Sequence, residues 1–114
     1  MKKNLSAASG VIAALLGVAL ATQAAGAGDA TAGKAVYRNK CMICHGADGE
    51  GATGYAKAMG LDPAQLSSDR VHKKTDAELK RIILEGSGKM KPLKGLSEID
   101  LDNVIVYVRN FRKK

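Results

Sequence analysis

Both cysteines of the chain lie in one pentapeptide, CMICH, at residues 41–45. The spacing C-x-x-C-H is the attachment sequence of c-type haem, in which each thiol adds to one vinyl group of the same porphyrin. The adjacent histidine is then held beneath the iron, where an imidazole nitrogen can bind it. The motif therefore predicts two thioether bonds, from Cys41 and Cys44, to one haem, with His45 as the proximal iron ligand.

Three other uses of this motif compete with haem attachment. A disulfide between Cys41 and Cys44 would close so short a loop that it would stabilise the chain little. A thioredoxin-like redox pair needs a βαβ context, and no β-branched run precedes the motif. A zinc site needs four ligands, and beyond the motif only His72 and carboxylates are available. Haem attachment is the interpretation that we favour.

The remaining axial position of the iron decides function, because an open position binds gases or peroxide and a closed one suits electron transfer. Met42 lies between the cysteines and cannot reach the opposite haem face. Met59 ends a predicted helical turn at residues 53–59, so we expect it to pack in the core. His72 lies in a lysine-rich stretch, which is typical of a solvated surface histidine.

Met90 lies in a glycine-rich loop, GSGKMKP at residues 86–92, between two helical patterns. Such a loop can lay extended backbone against a haem face. A methionine on its own is more often flexible filler of the core. After C-x-x-C-H and in this loop, we favour Met90 as the distal iron ligand. Ligation by His and Met raises the reduction potential relative to two histidines, which suits an electron carrier.

The first 27 residues have the pattern of a secretory signal peptide. After a basic start, residues 11–21 form an unbroken apolar run, and AGA at residues 25–27 fits the A-x-A cleavage rule. A spanning helix needs about 20 apolar residues, so cleavage is favoured over a membrane anchor. We expect a signal peptide at 1–27, with cleavage after Ala24 as the weaker option, and one periplasmic domain at 28–114 without stable membrane insertion.

The composition leaves this domain short of bulky core residues. The chain has 114 residues, 4% of them aromatic, and no tryptophan. Its length excludes large multidomain enzymes, and its two cysteines exclude disulfide-dense scaffolds. Removal of two lysines with the signal peptide lowers the net charge from +7 to +5. A domain of this size is marginal when it depends on side-chain burial alone. A covalent haem would supply the missing core, so we expect the apoprotein to be largely unfolded.

Capping signals and apolar spacing predict an all-α fold with three main helices and short helical turns. A Ser or Thr followed three residues later by an acidic residue begins the second and the third of these helices. The predicted helices run from Asp29 or Thr31 to about Cys41, from Thr75 to a stop at Gly86, and from Ser97 to the basic C-terminus.

With this motif and these elements, the segment 33–111 resembles a class I c-type cytochrome of the small bacterial monohaem type. The resemblance implies the cytochrome c fold, in which the helices wrap around one covalent haem c. Carried over to this chain, it implies that the thioether cysteines are Cys41 and Cys44, the proximal ligand His45 and the distal ligand Met90.

The same resemblance implies a close crossing of the first and last helices, with Gly33 and Tyr37 packed against Tyr107. A glycine at the crossing lets two backbones approach closely. Two features depart from the family. Lys91 follows Met90, where many members have proline, and the proline carbonyl that orients the proximal histidine in many members has no assigned counterpart.

Basic residues are numerous near the proposed site. Lys89, Lys91 and Lys94 flank the Met90 loop, and three more fall near the attachment side: Lys34, Lys40 and Lys57. As a group they indicate docking on acidic surfaces of redox partner proteins, with electrostatically steered encounters. Nucleic acid is a poor partner for an exported chain with so few aromatic residues.

The sequence as a whole predicts a monomeric periplasmic electron carrier without catalytic residues. One alternative is a haem c subunit that delivers electrons within a periplasmic oxidoreductase complex, such as a dehydrogenase, an oxidase or a sulfur-oxidising assembly. The other is a haem-based redox or gas sensor with a labile sixth ligand. Co-purification of a partner would favour the former, and rapid binding of carbon monoxide to the reduced protein would favour the latter.

Overall fold

The computed structural model describes residues 28–113, together with the isolated Gly10 and Gly17. Apart from those two glycines, the predicted signal peptide at 1–27 lies outside the described residues. Within 28–113 the regular structure is helical, and the β-type pairing consists of an isolated bridge between Ser87 and Met90. The helices in chain order are α1 (Ala30–Lys40), α2 (Met42–His45), α3 (Gly54–Ala58), α4 (Asp69–His72), α5 (Asp76–Glu85), α6 (Glu98–Arg109) and a final 3₁₀ helix (Asn110–Lys113).

The predicted all-α fold is confirmed, and the three main helices are α1, α5 and α6. Each begins at a side chain that accepts a hydrogen bond from an otherwise unpaired backbone N–H. Asp29 accepts from the N–H of Thr31 at 2.9 Å. Thr75 begins α5 and Ser97 begins α6, each with a reciprocal capping box. The three helix starts are therefore encoded locally, by the residues that surround them.

Helices α1 and α6 cross at Gly33, as the family resemblance implied. A side chain at Gly33 would overlap the backbone carbonyl of Asn103, so the approach requires glycine at this position. Beside the crossing, the ring centroid of Tyr37 lies 5.2 Å from that of Tyr107 and 5.3 Å from that of Phe111. Tilted and edge-on contacts of this kind add to the stabilisation that burial alone gives.

The core made by protein atoms is small, as the composition led us to expect. Its buried cluster consists of Tyr37, Val104, Ile105 and Phe111, where α1 meets α6 and the 3₁₀ helix that follows it. Within the described residues the buried hydrophobic side chains are Tyr37, Ala56, Val71, Leu101, Val104, Ile105 and Phe111. None of the described helices combines the length and the apolar content that a membrane crossing requires.

Ion pairs hold α5 to α6. Lys80 on α5 contacts Asp102 at 2.5 Å and Glu98 at 2.9 Å. These two carboxylates raise the pKa of Lys80 to about 12, first through the hydrogen bonds that they accept from it. Arg109 on α6 reaches Asp76 at 2.6 Å. The Met90 loop, which follows α5, therefore leaves from a helix that is fixed to the main crossing.

Candidate haem-binding site

Helix α2 places the attachment motif on a single helical turn. The N–H of Cys44 and the N–H of His45 both donate to the carbonyl of Cys41, at 3.2 and 2.9 Å. Residues three positions apart lie on the same face of a helix, so the two thiols face the same side. Both cysteines are free thiols and half-buried. The turn therefore offers two thiols to one planar partner.

The thiol of Cys41 is not activated as a nucleophile. Burial, with a smaller contribution from nearby Cys44, raises its pKa to about 11. Redox-active C-x-x-C pairs depend instead on a thiol whose pKa is lowered. The environment of Cys41 therefore disfavours the thioredoxin-like alternative and suits a residue that ends in a structural thioether bond.

The ring of His45 is oriented by a backbone carbonyl that the sequence did not identify. Its Nδ1 donates to the carbonyl of Ala64 at 3.1 Å. Burial lowers the pKa of His45, and the bond to Ala64 opposes this only in part, so the imidazole is neutral at physiological pH. With Nδ1 engaged, the nitrogen left for a metal is Nε2, an arrangement common among metal-binding histidines. Ala64 directly follows Pro63, and this proline is the feature of the sequence that lies nearest to the observed acceptor.

The backbone on either side of His45 is also fixed. The Tyr37 hydroxyl donates to the carbonyl of Gly46 at 2.5 Å, and the N–H of Gly51 donates to the carbonyl of His45 at 2.7 Å. Gly51 has a φ of 81° and packs so closely on the Pro63 carbonyl that a side chain there would overlap it. Residues 46–51 therefore join the histidine to the segment that orients its ring.

Met90 lies in a tight turn that begins where α5 ends. Ser87 and Met90 exchange backbone hydrogen bonds of 3.0 and 2.9 Å, and Met90 is half-buried. Gly86, with a φ of 80°, ends α5 and approaches the Met90 carbonyl so closely that a side chain would clash. Beyond the turn, the N–H of Leu93 returns to the carbonyl of Ile83 on α5, at 2.9 Å. Both ends of the loop are thus held to α5.

A chain of polar contacts connects the Met90 turn with the attachment motif through α3. Lys89 donates to the carbonyl of Gly60, just beyond α3, at 3.0 Å. At the other end of α3, the Thr53 hydroxyl donates to the carbonyl of Ile43, between the two cysteines, at 2.8 Å. The structure thus brings Cys41, Cys44 and His45 together, with Cys41 as the N-cap of α2, and holds Met90 on a separate loop that is connected to the motif through α3.

The other candidate ligands have different environments. Met42 packs against the core cluster, on the attachment segment itself. The expectation that Met59 packs in the core is wrong: it is 59% exposed, because α3 ends there and the chain turns away. His72 was expected to be a solvated surface residue, but it is half-buried at the end of α4, with Nε2 at 2.8 Å from the carbonyl of Leu66.

These features fit a covalent haem. Two free thiols and a neutral, oriented imidazole lie on one turn, and thiol and imidazole are the groups that haem attachment needs. The described part of the chain also presents apolar side chains that the protein atoms cover incompletely. Among the described residues these include Val36, Leu66, Leu79 and Ile83, which are half-buried, and Tyr55, which is exposed.

Known proteins that are similar to this chain point to the same cofactor. A family model described as cytochrome C oxidase, cbb3-type, subunit III, matches residues 28–108. The chain is also similar to cytochrome c-554(547) of Halothiobacillus neapolitanus, at 37% identity over 91 residues that cover 75% of this chain and 100% of the relative. The chain therefore belongs to this family of cytochromes: it is a small class I c-type cytochrome, and its cofactor is covalently bound haem c with iron.

Proposed function

We propose that the protein is a periplasmic electron carrier whose haem iron is held by His45 and Met90. The observation that carries the proposal is the bond from His45 Nδ1 to the Ala64 carbonyl at 3.1 Å, which presents one fixed, neutral imidazole. The bound haem supplies an iron that alternates between the ferrous and ferric states. The family relationship supports electron transfer rather than enzymatic catalysis.

In this proposal the protein keeps the same ligands in both oxidation states, because ligand movement would slow electron exchange. The Ala64 carbonyl holds the ring of His45, and the Tyr37 hydroxyl holds the backbone next to it. On the other side, the Ser87–Met90 turn limits the movement of the methionine. The soft thioether of Met90 would raise the reduction potential above that of a bis-histidine site.

We propose that residues 1–27 form a signal peptide and that the mature domain is 28–114. The family match begins at residue 28. Gly28 packs on the backbone of α6, and the N–H of Asp29 donates to Oδ1 of Asn103 at 2.8 Å. N-terminal sequencing of protein from a periplasmic extract tests this, with a start at Gly28 expected and an intact Met1 contradicting it.

The exposed lysines support docking on an acidic redox partner. Lys91 and Lys94 are exposed beside the Met90 loop. Lys89 is bonded to the Gly60 carbonyl, so its ammonium group is less free to follow a partner. On the attachment side, three more lysines are exposed on or next to helices α1 and α3: Lys34, Lys40 and Lys57. We propose that the carrier acts as a monomer which docks briefly through these lysines.

A second candidate function is that of a haem subunit in an oxidoreductase complex. The description of the matched family names an oxidase subunit, and two large apolar side chains are exposed, Ile99 on α6 at 70% and Leu84 on α5 at 43%. Size-exclusion chromatography of the protein from its native membrane and periplasmic fractions separates the two. A freely eluting monomer supports the carrier, and stable co-elution with a larger assembly supports the subunit.

The proposed ligation is tested by visible spectroscopy with a potentiometric titration of the purified, exported protein. A His/Met site gives a sulfur-to-iron charge-transfer band in the oxidised protein and a potential above that of bis-histidine sites. Carbon monoxide added to the reduced protein tests the sensor alternative in the same sample. Slow or absent binding supports a closed carrier site, and rapid binding supports a labile sixth ligand.

A further inference from the structure

Lys89 differs from the other lysines around the Met90 loop because its side chain is engaged. Its Nζ donates to the carbonyl of Gly60 at 3.0 Å, across 29 residues of sequence. Lys91 lies on the other side of Met90 and is exposed, with no such bond among the described contacts. Both Lys89 and Gly60 are exposed, so dense packing does not force this contact. The hydrogen bond to Gly60 therefore determines the conformation of the Lys89 side chain.

The acceptor is supplied by the way in which α3 ends. Gly60 has a φ of 65°, its N–H donates to Lys57, and the N–H of Leu61 donates to Ala56, at 3.1 and 2.8 Å. This pattern of backbone bonds is the Schellman motif, with glycine in the left-handed position. Because the chain leaves the helix there, the Gly60 carbonyl lies outside the hydrogen-bond ladder of α3. It remains available to a side chain from another loop.

Helix α3 is itself firmly attached at its other end. The Thr53 hydroxyl accepts from the N–H of Ala56 at 3.0 Å and donates to the carbonyl of Ile43 at 2.8 Å. Ala56 is 1% exposed. The Gly60 carbonyl is therefore a fixed point relative to the attachment motif, and a group bonded to it is held near that motif.

We propose that Lys89 is a positioning residue that holds the Met90 turn against the end of α3 and so slows the departure of Met90 from the iron. This inference rests on the proposed ligation by Met90. Lys89 directly precedes Met90 in the sequence, so a small displacement of Lys89 also moves the thioether of the ligand. Its ammonium group is bonded to the Gly60 carbonyl, which limits that displacement. An ionised donor makes this stronger than a neutral hydrogen bond.

The test uses the full exported holoprotein in the ferric state and measures the rate at which imidazole replaces the sixth ligand. That rate is limited by opening of the ligand loop. Lys89→Gln removes the charge and shortens the side chain, so we expect the rate to rise about three- to tenfold, the range for loss of one exposed, charge-assisted hydrogen bond. Lys91→Gln removes the same charge from the other side of Met90, and its rate should stay within about twofold of the wild type.

Two further variants make the result specific. Lys89→Arg keeps a charged donor and should restore a rate close to that of the wild type. A purely structural role for Lys89 would lower the thermal stability and leave the imidazole rate of Lys89→Gln equal to that of Lys91→Gln, which would overturn the proposal. Met90→Leu distinguishes a wrong role for Lys89 from a wrong ligand assignment. If Met90→Leu keeps the sulfur-to-iron band, Met90 is not the ligand and both proposals are wrong. If Met90→Leu loses the band while the imidazole rates of Lys89→Gln and Lys91→Gln are equal, only the proposed role of Lys89 is wrong.

Discussion

The Nδ1 of His45 donates to the carbonyl of Ala64 at 3.1 Å, and the two residues are 19 positions apart in the sequence. This bond joins the attachment helix to the segment that follows Pro63. It fixes the plane and the tautomer of the imidazole, and it makes the opposite nitrogen a better donor to a metal. A backbone carbonyl cannot be removed by a side-chain substitution, so we test the fixed position of His45 through Tyr37, whose hydroxyl holds the adjacent Gly46 carbonyl.

Tyr37→Phe should destabilise the protein by about 1–3 kcal/mol, because it leaves the buried Gly46 carbonyl without its hydroxyl donor. The ring and its contacts with Tyr107 and Phe111 remain. Burial raises the pKa of Tyr37 well above its ordinary value, so the hydroxyl stays protonated and the loss should not depend on pH over the neutral range. Urea unfolding of the holoprotein measures the change. Tyr55→Phe is the matched control, because Tyr55 is 46% exposed, and an equal loss in both variants would contradict the role of the buried bond.

Gly33→Ala should cost more than about 2 kcal/mol, because the added methyl group overlaps the Asn103 carbonyl and forces α1 away from α6. Gly54→Ala is the control, since a side chain at Gly54 meets no atom within 4 Å and α3 should tolerate it. Thermal unfolding of the two variants gives the comparison. Equal melting temperatures would mean that the helix crossing does not limit stability.

The caps that begin α1, α5 and α6 could be predicted because each depends on residues within four positions of one another. The same holds for the motif at 41–45, whose chemistry is local. Helices α2 and α4 could not be predicted, since four residues are too few for an apolar period to be visible. The hydrogen-bond partners of His45 and Lys89 could not be predicted either, because they are the backbone carbonyls of Ala64 and Gly60. Every residue has such a carbonyl, so only the path of the folded chain determines which one lies within reach.

The ion pairs that Lys80 forms with Asp102 and Glu98 should make the free energy of unfolding fall as the pH becomes strongly alkaline. The pKa of Lys80 is raised from 10.5 to about 12 in the folded protein, so the unfolded chain loses this proton at a lower pH than the folded chain does. The stabilisation is fully present below pH 10.5 and is lost as the pH rises through about 12. The difference in free energy of unfolding between the wild type and Lys80→Met should therefore shrink over this window. A difference that stays constant with pH would contradict the assignment, and Lys73→Met, at an exposed lysine, serves as the control.

Electron transfer to an acidic redox protein should slow as salt is added, because screening weakens attraction between exposed charges. Lys91→Glu combined with Lys94→Glu should lower the second-order rate constant by about tenfold at low ionic strength and flatten its salt dependence. Lys73→Glu in combination with Lys74→Glu changes the charge equally in the segment between α4 and α5. If both pairs slow the reaction equally, net charge rather than a local docking surface governs the encounter.

The identity of the distal ligand is the central claim, and one comparison tests it most directly. The measurement is the sulfur-to-iron band and the reduction potential of Met90→Leu and Met59→Leu, each as exported holoprotein. Met59 is the appropriate control, because it is 59% exposed at the end of α3, close to the Gly60 carbonyl that holds Lys89. We predict that Met90→Leu loses the band and shifts the potential, while Met59→Leu retains both wild-type properties. Persistence of the band in Met90→Leu, or its loss in Met59→Leu, would contradict the proposed coordination.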